Sequence, residues 1–319
     1  MVGSTKLKME YKNLRKKIIV GSRHSKLALC QTELVIKQLQ QYFPDTEFEI
    51  KKIKTTGDNN LKDSLTKIGG KGVFIQEIEK ELEEQTIDFA VHSLKDVTPK
   101  LPESLTLGAI PKRASAFDCL ISRHKYTSIN ELPLQARIGT SSMRRQGQLL
   151  HLRPDLNIVS IRGNIDSRLK KIQTEHLEGI IVAEAGLERL QPDLTNYKVL
   201  SLKNVVLPAV GQGCLAVECR QTDQEVLHML KLINDFPTSK CIHIERQFMR
   251  ELGGSCNFPI GGYAYIKKRS IKFSGLISSI DGKHIIKAID IPADEPRIGK
   301  KVAQKLLAQD KYGIVNKKI

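Results

Sequence analysis

The chain has no tryptophan, and only 5% of its 319 residues are aromatic. Proteins that hold single-stranded nucleic acid stack its bases on aromatic side chains, so this scarcity weighs against that class. Lys and Arg form only short clusters such as Arg15-Lys16-Lys17, which weighs against a polybasic nucleic-acid arm. No nucleic-acid partner is expected. No apolar run approaches the roughly 18 residues of a membrane span, so no membrane partner is expected either. The start of the chain lacks the apolar segment of a secretion signal. Residues 1-16 read as a disordered basic tail, and the location as cytoplasmic. Metal-ligand spacing is missing too. The six cysteines are scattered, Cys214 and Cys219 stand five apart, and no His pair completes a zinc set. All six read as reduced thiols, with no metal.

What the chain has in excess is positive charge, +16 formally. An excess of this size favours a polyanionic partner. With nucleic acid weighed against, the alternative is a small ligand with several carboxylates or phosphates, held by separated Arg and Lys that converge in space. A chain of this length is too long for one ordinary core and is expected to form two or three domains.

Strands alternate with helices over the first two thirds. Lys17 to Val20 reads as a buried strand, followed by a helix capped by Ser25 with Leu27, Cys30, Leu34 and Leu39 on one face. Phe48 and Ile50 mark a second strand. The basic loop Lys67 to Gly72 leads into a helix bearing Phe74, Ile78 and Leu82. Asp88 to Val91 is a third strand and Leu105 to Ile110 a fourth. The pattern recurs with strands near Arg137, Leu156 and Gly179, each followed by a helix. This predicts two α/β domains with largely parallel sheets. After about Asp223 come two helices, three antiparallel strands with a hairpin turn at Asp281-Gly282, and a last helix, a small α+β domain. The expected divisions are 17-111 with 212-232, then 112-211, then 233-319. Segments near 112–118 and 200–212 read as crossings between the first two domains.

In open α/β sheets, ligands bind beyond the carboxyl ends of the strands. Those positions offer Arg23 and Ser25; Ser93, Lys95 and Asp96; Ser141, Ser142, Arg144 and Arg145; Arg162 and Arg168; and Arg189. Serines at a helix start followed by arginines make an anion site from N–H groups, hydroxyls and the helix dipole. Any one of these arginines alone reads as a solvated surface charge. Together they describe a cleft lined with cations. Asp96 is the one acid among them, either a salt-bridge partner of its surroundings or a carboxylate that stabilises a developing cation or moves a proton. His92 reads as structural, and Phe74 as core or lid. Cys256, in Gly253-Gly254-Ser255-Cys256-Asn257-Phe258-Pro259, reads on local grounds as a packed thiol in a turn.

Several longer motifs go further. Asp88-Phe89-Ala90-Val91-His92-Ser93-Leu94-Lys95-Asp96-Val97 resembles the catalytic segment of the porphobilinogen deaminase (hydroxymethylbilane synthase) family. So do Lys67-Ile68-Gly69-Gly70-Lys71-Gly72-Val73-Phe74, Gly139-Thr140-Ser141-Ser142-Met143-Arg144-Arg145, Ile161-Arg162-Gly163-Asn164 and Leu207-Pro208-Ala209-Val210-Gly211-Gln212-Gly213. The Cys256 stretch resembles the family's cofactor-attachment loop. The resemblance runs in order from about Lys17 to near the C-terminus.

It implies two domains like the halves of periplasmic binding proteins, hinged by two crossings, and a third that carries the cysteine. It implies an enzyme that joins four porphobilinogen units head to tail with loss of ammonia, then hydrolyses the chain to hydroxymethylbilane. The implied cofactor is dipyrromethane, held by a thioether to Cys256, and the implied catalytic carboxylate is Asp96. Lys95, Ser141, Ser142, Arg144, Arg145 and Arg168 match residues around the cofactor's acid side chains. Arg23, Ser25, Gln31 and Ser93 match the incoming-substrate site, Arg162 and Arg189 further cleft arginines. Lys67 and Lys71, with Phe74 beside them, match the mobile loop. A monomer is expected. Thr98, Glu184, Cys214 and His243-Ile244 depart from the family's usual residues, and Glu184 sets an extra acid near Arg189. The competing reading is a binding protein for a small polyanion with the same two lobes and no catalysis, which would need neither Asp96 nor Cys256.

Overall fold

The structure, a computed structural model, describes residues 15–56, 75–254 and 258–315. Lys67, Lys71, Phe74 and Cys256 lie outside the described residues, as does most of the expected tail. Arg15, counted in that tail, is described: its Nη2 donates to both carboxylate oxygens of Asp223 at 3.0 Å.

In chain order the first elements are β1 (Lys17–Arg23), α1 (Lys26–Gln40), β2 (Glu47–Ile53), α2 (Gln76–Glu83), β3 (Phe89–Ser93) and β4 (Leu105–Ala109). Next come β5 (Asp118–Ser122), β6 (Arg137–Gly139), α3 (Met143–Leu152), β7 (Asn157–Val159), α4 (Ile165–Thr174), β8 (Gly179–Ala183), α5 (Glu184–Leu190) and β9 (Lys198–Ser201). Then β10 (Leu215–Arg220), α6 (Gln224–Lys231), α7 (Phe236–Glu251), β11 (Ile260–Lys267), β12 (Ser270–Ser278), β13 (Ile285–Pro292) and α8 (Ile298–Gln309) complete the set.

The first sheet runs β2-β1-β3-β10-β4 and the second β7-β6-β8-β5-β9. These are one topology used twice. In each, the first strand lies between the second and third in parallel, and the fourth is reached through an antiparallel strand. Those antiparallel strands, β5 and β10, are the ones that follow a crossing between lobes. Each sheet is therefore largely parallel, as expected, with one antiparallel strand that makes it mixed. Each lobe borrows the strand that closes its sheet from the segment arriving from its neighbour, and that ties the lobes together. The result is a mixed α/β fold with two sheet-containing lobes and a small C-terminal sheet domain.

The buried face of α1 is also a correction. Ala28, Gln31, Thr32, Val35, Ile36 and Leu39 face the core, whereas Leu34 is exposed and Leu27 and Cys30 only half-buried. Two polar residues on the inner face are satisfied there. Thr32 Oγ1 donates to Ser22 Oγ at 2.9 Å, and Gln31 pairs with Ser93. A burial stripe that includes hydrogen-bonded polar side chains is not visible to an apolar count. Cys30 turns toward the second lobe instead, where its Sγ lies 3.1 Å from the Arg189 carbonyl.

In the C-terminal domain α7 and α8 cover the meander β11-β12-β13. Phe248 and Phe273, both fully buried, meet edge-on with centroids 5.1 Å apart. Burying an aromatic side chain of this kind stabilises by roughly 1.5–3 kcal/mol. Buried Glu245 of α7 joins this domain to the crossings. It accepts from the Gly211 amide at 2.7 Å, the Ala264 amide at 2.8 Å and the Arg113 guanidinium. The two crossings also touch each other: Gly213 has φ +84°, and a Cβ there would stand 2.4 Å from the Ser115 carbonyl oxygen.

Candidate active site

The carboxyl end of β3 sets the first part of the site. Ser93 leads into a single 3-10 turn, Leu94–Asp96. Leu94 is buried, its amide donates to the Cys214 carbonyl at 3.0 Å, and it accepts from the Val97 amide at 3.1 Å. With Leu94 pinned inward, Lys95 and Asp96 lie half-buried at the sheet end. Among the described residues, neither the Lys95 ammonium nor the Asp96 carboxylate has a hydrogen bond or an ion-pair contact. Burial pushes the Lys95 ammonium down to about 8; Asp96 and Asp118 act against this, Arg145 and Arg144 with it.

The second lobe supplies the facing cations. Ser142 caps α3, its Oγ accepting from the Arg145 amide at 3.4 Å, while Ser141 Oγ bonds the Ile161 carbonyl and lies 3.1 Å from Ser160 Oγ. Arg144 and Arg145 both point inward, only 3% and 6% exposed. Asp118, at the start of β5, receives them. Its Oδ2 takes Arg144 Nη1 at 2.8 Å, and its Oδ1 takes Arg145 Nη2 at 2.7 Å and Gln212 Nε2 at 2.9 Å. Burial alone would raise the Asp118 carboxyl, but the two guanidinium groups hold it well below the usual carboxylate range. Arg144 Nη1 also donates to the Leu207 carbonyl and Arg145 Nη1 to the Ile181 carbonyl, each at 2.8 Å.

Arg168 continues the cluster from α4. Its Nε donates to the Gly163 carbonyl at 2.8 Å, and burial together with Arg145 and Arg162 pushes it down to about 10. The last cleft arginine, Arg189, donates to the Gly213 carbonyl at 2.7 Å and is pushed down by burial. It stands on the seam where α1 meets α5. Gln31 and Ser93 hold each other across the mouth of the first lobe, with Gln31 Nε2 at 2.9 Å from Ser93 Oγ. Arg23, half-buried at the end of β1, and Ser25, the cap of α1, flank the β1–α1 turn.

The structure thus brings Asp96, Arg144 and Arg145 within electrostatic reach of Lys95, and Arg145 and Arg162 within reach of Arg168. It shows a second pair in Gln31 and Ser93. Arg144 and Arg145 are anchored inside the lobe, so much of their hydrogen-bonding capacity goes to Asp118 and backbone carbonyls. Glu184 is not paired with Arg189; its carboxylate accepts from Ser115 Oγ and, at 2.6 Å, from Ser201 Oγ. Asp118 is the residue that reading the sequence missed. The available signal was charge balance: two adjacent arginines facing inward require a buried acid, and Asp118 opens the apolar run Cys119-Leu120-Ile121. The clustered cations suit a ligand with several carboxylates. Lys95 and Arg168 are both weakened by burial, and Arg168 has two further guanidinium groups beside it. Anions placed there would relieve both effects.

Residues 18–228 match the family model described as "Porphobilinogen deaminase, dipyromethane cofactor binding domain", and residues 239–308 match "Porphobilinogen deaminase, C-terminal domain". A porphobilinogen deaminase of Limosilactobacillus reuteri (strain DSM 20016) is 63% identical over 299 residues, covering 94% of this chain and 98% of that protein. One from Listeria welshimeri is 47% identical over 304 residues, covering 95% and 98%. Among solved structures, the periplasmic VFT2 domain of Bordetella pertussis BvgS is similar at a TM-score of 0.42 and 10% identity, over 73% of this chain and 91% of that one. With both family models matched in order across most of its length, this chain belongs to the porphobilinogen deaminase family.

Proposed function

We propose that the protein is a porphobilinogen deaminase, a transferase that condenses four porphobilinogen units head to tail on a covalently bound dipyrromethane primer. Each condensation releases ammonia, and hydrolysis then frees hydroxymethylbilane for tetrapyrrole and haem synthesis. The observation that carries this reading is the Asp96 carboxylate, which has no hydrogen bond among the described residues, beside Lys95, itself within electrostatic reach of Arg144 and Arg145. Each pyrrole unit carries an acetate and a propionate, so every addition brings two negative charges into the cleft. A site for such a chain needs many cations and one acid.

In this reading Lys95, Ser141, Ser142, Arg144, Arg145 and Arg168 hold the cofactor's carboxylates. Bound dipyrromethane supplies the pyrrole carbon that the first substrate joins. Arg23, Ser25, Gln31, Ser93, Arg162 and Arg189 receive the incoming unit, Gln31 and Ser93 as a prearranged polar pair. Asp96 stabilises the positive charge that forms on the substrate as ammonia leaves. A preorganised charge of this kind is worth on the order of 3–4 kcal/mol of barrier. Cys256, which lies outside the described residues, carries the thioether; Lys67, Lys71 and Phe74 also lie outside them. The reading also makes the enzyme a cytoplasmic monomer; five free cysteines among the described residues suit a reducing compartment.

Intact-mass analysis of the holoenzyme tests it. The expected result is an adduct of two pyrrole units on the peptide that contains Cys256. An unmodified Cys256 in protein that turns over porphobilinogen would overturn the assignment.

A further inference from the structure

On β3, just ahead of the turn that carries Asp96, His92 and Glu218 pair in the interior with Glu79 within electrostatic reach. His92 Nε2 lies 3.0 Å from Glu218 Oε2, and the two residues are 5% and 0% exposed. The acceptor is a carboxylate oxygen, so Nε2 carries the hydrogen. The second oxygen of Glu218, Oε1, is buried without a hydrogen-bond partner. So is Oε1 of Glu79 on α2, the helix that packs across β3 and β10. Ala90 lies in the cluster with Ile78 and Leu82, so Ala90 and His92 share the face of β3 that α2 covers. Register places Glu218 beside Ala90 and Ala216 beside His92.

The buried Glu218 and the half-buried Glu79, each with one buried oxygen that lacks a donor among the described residues, are short of one hydrogen. Among the described residues, no other group on the surrounding elements supplies it. Glu83, also on α2, adds further negative charge. From α7, Arg246 is the cation that faces Glu218, but its Nη2 donates to the Thr98 carbonyl at 3.0 Å and the Pro99 carbonyl at 3.1 Å. His92 is already engaged by the other Glu218 oxygen. Burial, with Glu218 beside it, pushes the Glu79 carboxyl up to about 7.

We propose that Glu79 and Glu218 hold one proton between them, the Glu79 hydroxyl donating to Glu218, and that this proton docks α2 on the β3–β10 pair and so positions the end of β3. His92 is the link, since it stands one residue before Ser93 and four before Asp96. Glu79, Glu218 and His92 are then positioning residues that touch neither substrate nor cofactor. Losing the proton leaves two neighbouring, poorly solvated negative charges, and α2 is released from the sheet to hydrate them.

Hydrogen exchange of the α2 peptide in the holoenzyme, corrected for intrinsic rates at each pH, tests the proposal. One proton taken up on docking makes the opening constant rise about tenfold per pH unit between roughly pH 5 and 7, then level off. Glu79→Gln supplies a permanent N–H donor in place of the proton, and its opening constant is expected to be flat across the same range. Equal slopes in the two proteins overturn the proposal. If the variant does not fold, a flat wild-type profile alone overturns it. The activity arm rests on the proposed reaction. The ratio of Glu79→Gln to wild-type kcat is expected to climb severalfold from pH 6 to 8.5, because titrations common to both proteins cancel. A constant ratio removes the positioning role. If wild-type protein forms no hydroxymethylbilane at any pH, the proposed reaction fails while the exchange result still stands.

Discussion

Asp118 Oδ1 accepts from both Nε and Nη2 of Arg145, at 3.0 and 2.7 Å, in a site that admits no solvent to the carboxylate. The same carboxyl holds Arg144 through its other oxygen. One acid on a borrowed strand therefore fixes the start of α3, where the cleft's cations begin.

Replacing Asp118 by Asn leaves two buried guanidinium groups without a counter-charge. Removing one partner of a buried pair costs about 3–5 kcal/mol. Urea unfolding of Asp118→Asn should show that loss, with a fall in kcat/KM that conservative repair by Glu does not fully restore. The sign of the pH effect follows from the depressed carboxyl. Stability from Asp118 is present above the unfolded carboxylate range and drains away as pH falls toward its folded value. Wild-type protein should therefore lose more stability than the variant between pH 4 and 2.

Lys95 works in the opposite direction. Its ammonium titrates near 8 in the folded protein against the ordinary 10.5, so the unfolded chain binds more protons between those values. Stability should rise with pH across that window, and the buried charge should be a cost below it. Lys95→Met is expected to raise the Tm of apoprotein by several degrees at pH 7, to flatten the profile from pH 8 to 10.5, and to abolish turnover. Thermal scans of apo wild type and variant against pH decide it. A variant less stable than wild type at pH 7 would count against Lys95 as a site residue held at the expense of the fold.

Reading the sequence recovered the elements whose patterns are local. β8 and α5 run as expected, because Gly179-Ile180-Ile181-Val182-Ala183 is a continuous apolar strand and the following helix starts at once. The strands β5 and β10 escaped because each follows a crossing and pairs with strands distant in the chain; their place depends on the neighbouring lobe's topology. The inner face of α1 escaped because Gln31 and Thr32 are buried through hydrogen bonds that only the fold supplies. In the site, the cations at strand ends were legible because strand ends are where an α/β sheet exposes them. Asp118 was not, because a buried counter-ion is chosen by geometry across 26 and 27 residues of separation.

Both carboxylate oxygens of Glu184 are used. They accept from Ser115 on the first crossing and Ser201 at the end of β9. Cutting it back to Ala should cost about 1–2 kcal/mol, the ordinary value of two hydrogen bonds to a partly exposed carboxylate. Because it does not contact Arg189, KM for porphobilinogen should stay within about twofold. A larger rise in KM would mean that Glu184 acts on the arginine after all. Chemical denaturation and steady-state kinetics on Glu184→Ala separate the two.

Asp96→Asn isolates chemistry from fold. The carboxylate has no hydrogen bond among the described residues, so the substitution deletes only its electrostatic attraction to Lys95. Its Tm should match wild type within about 2 °C, well inside the shift that 1 kcal/mol produces in a small domain. In the proposed reaction, by contrast, loss of ammonia leaves a cation next to this position, and the amide would offer it a dipole where the acid offered a charge. Removing one preorganised group of this kind slows turnover about 10²–10³-fold. Rapid-quench measurement of ammonia release on holoenzyme that already carries its two-pyrrole adduct reads the step directly. Ammonia released at the wild-type rate by a well-folded Asp96→Asn protein would remove Asp96 from the mechanism and leave the cleft as a binding site whose chemistry lies elsewhere.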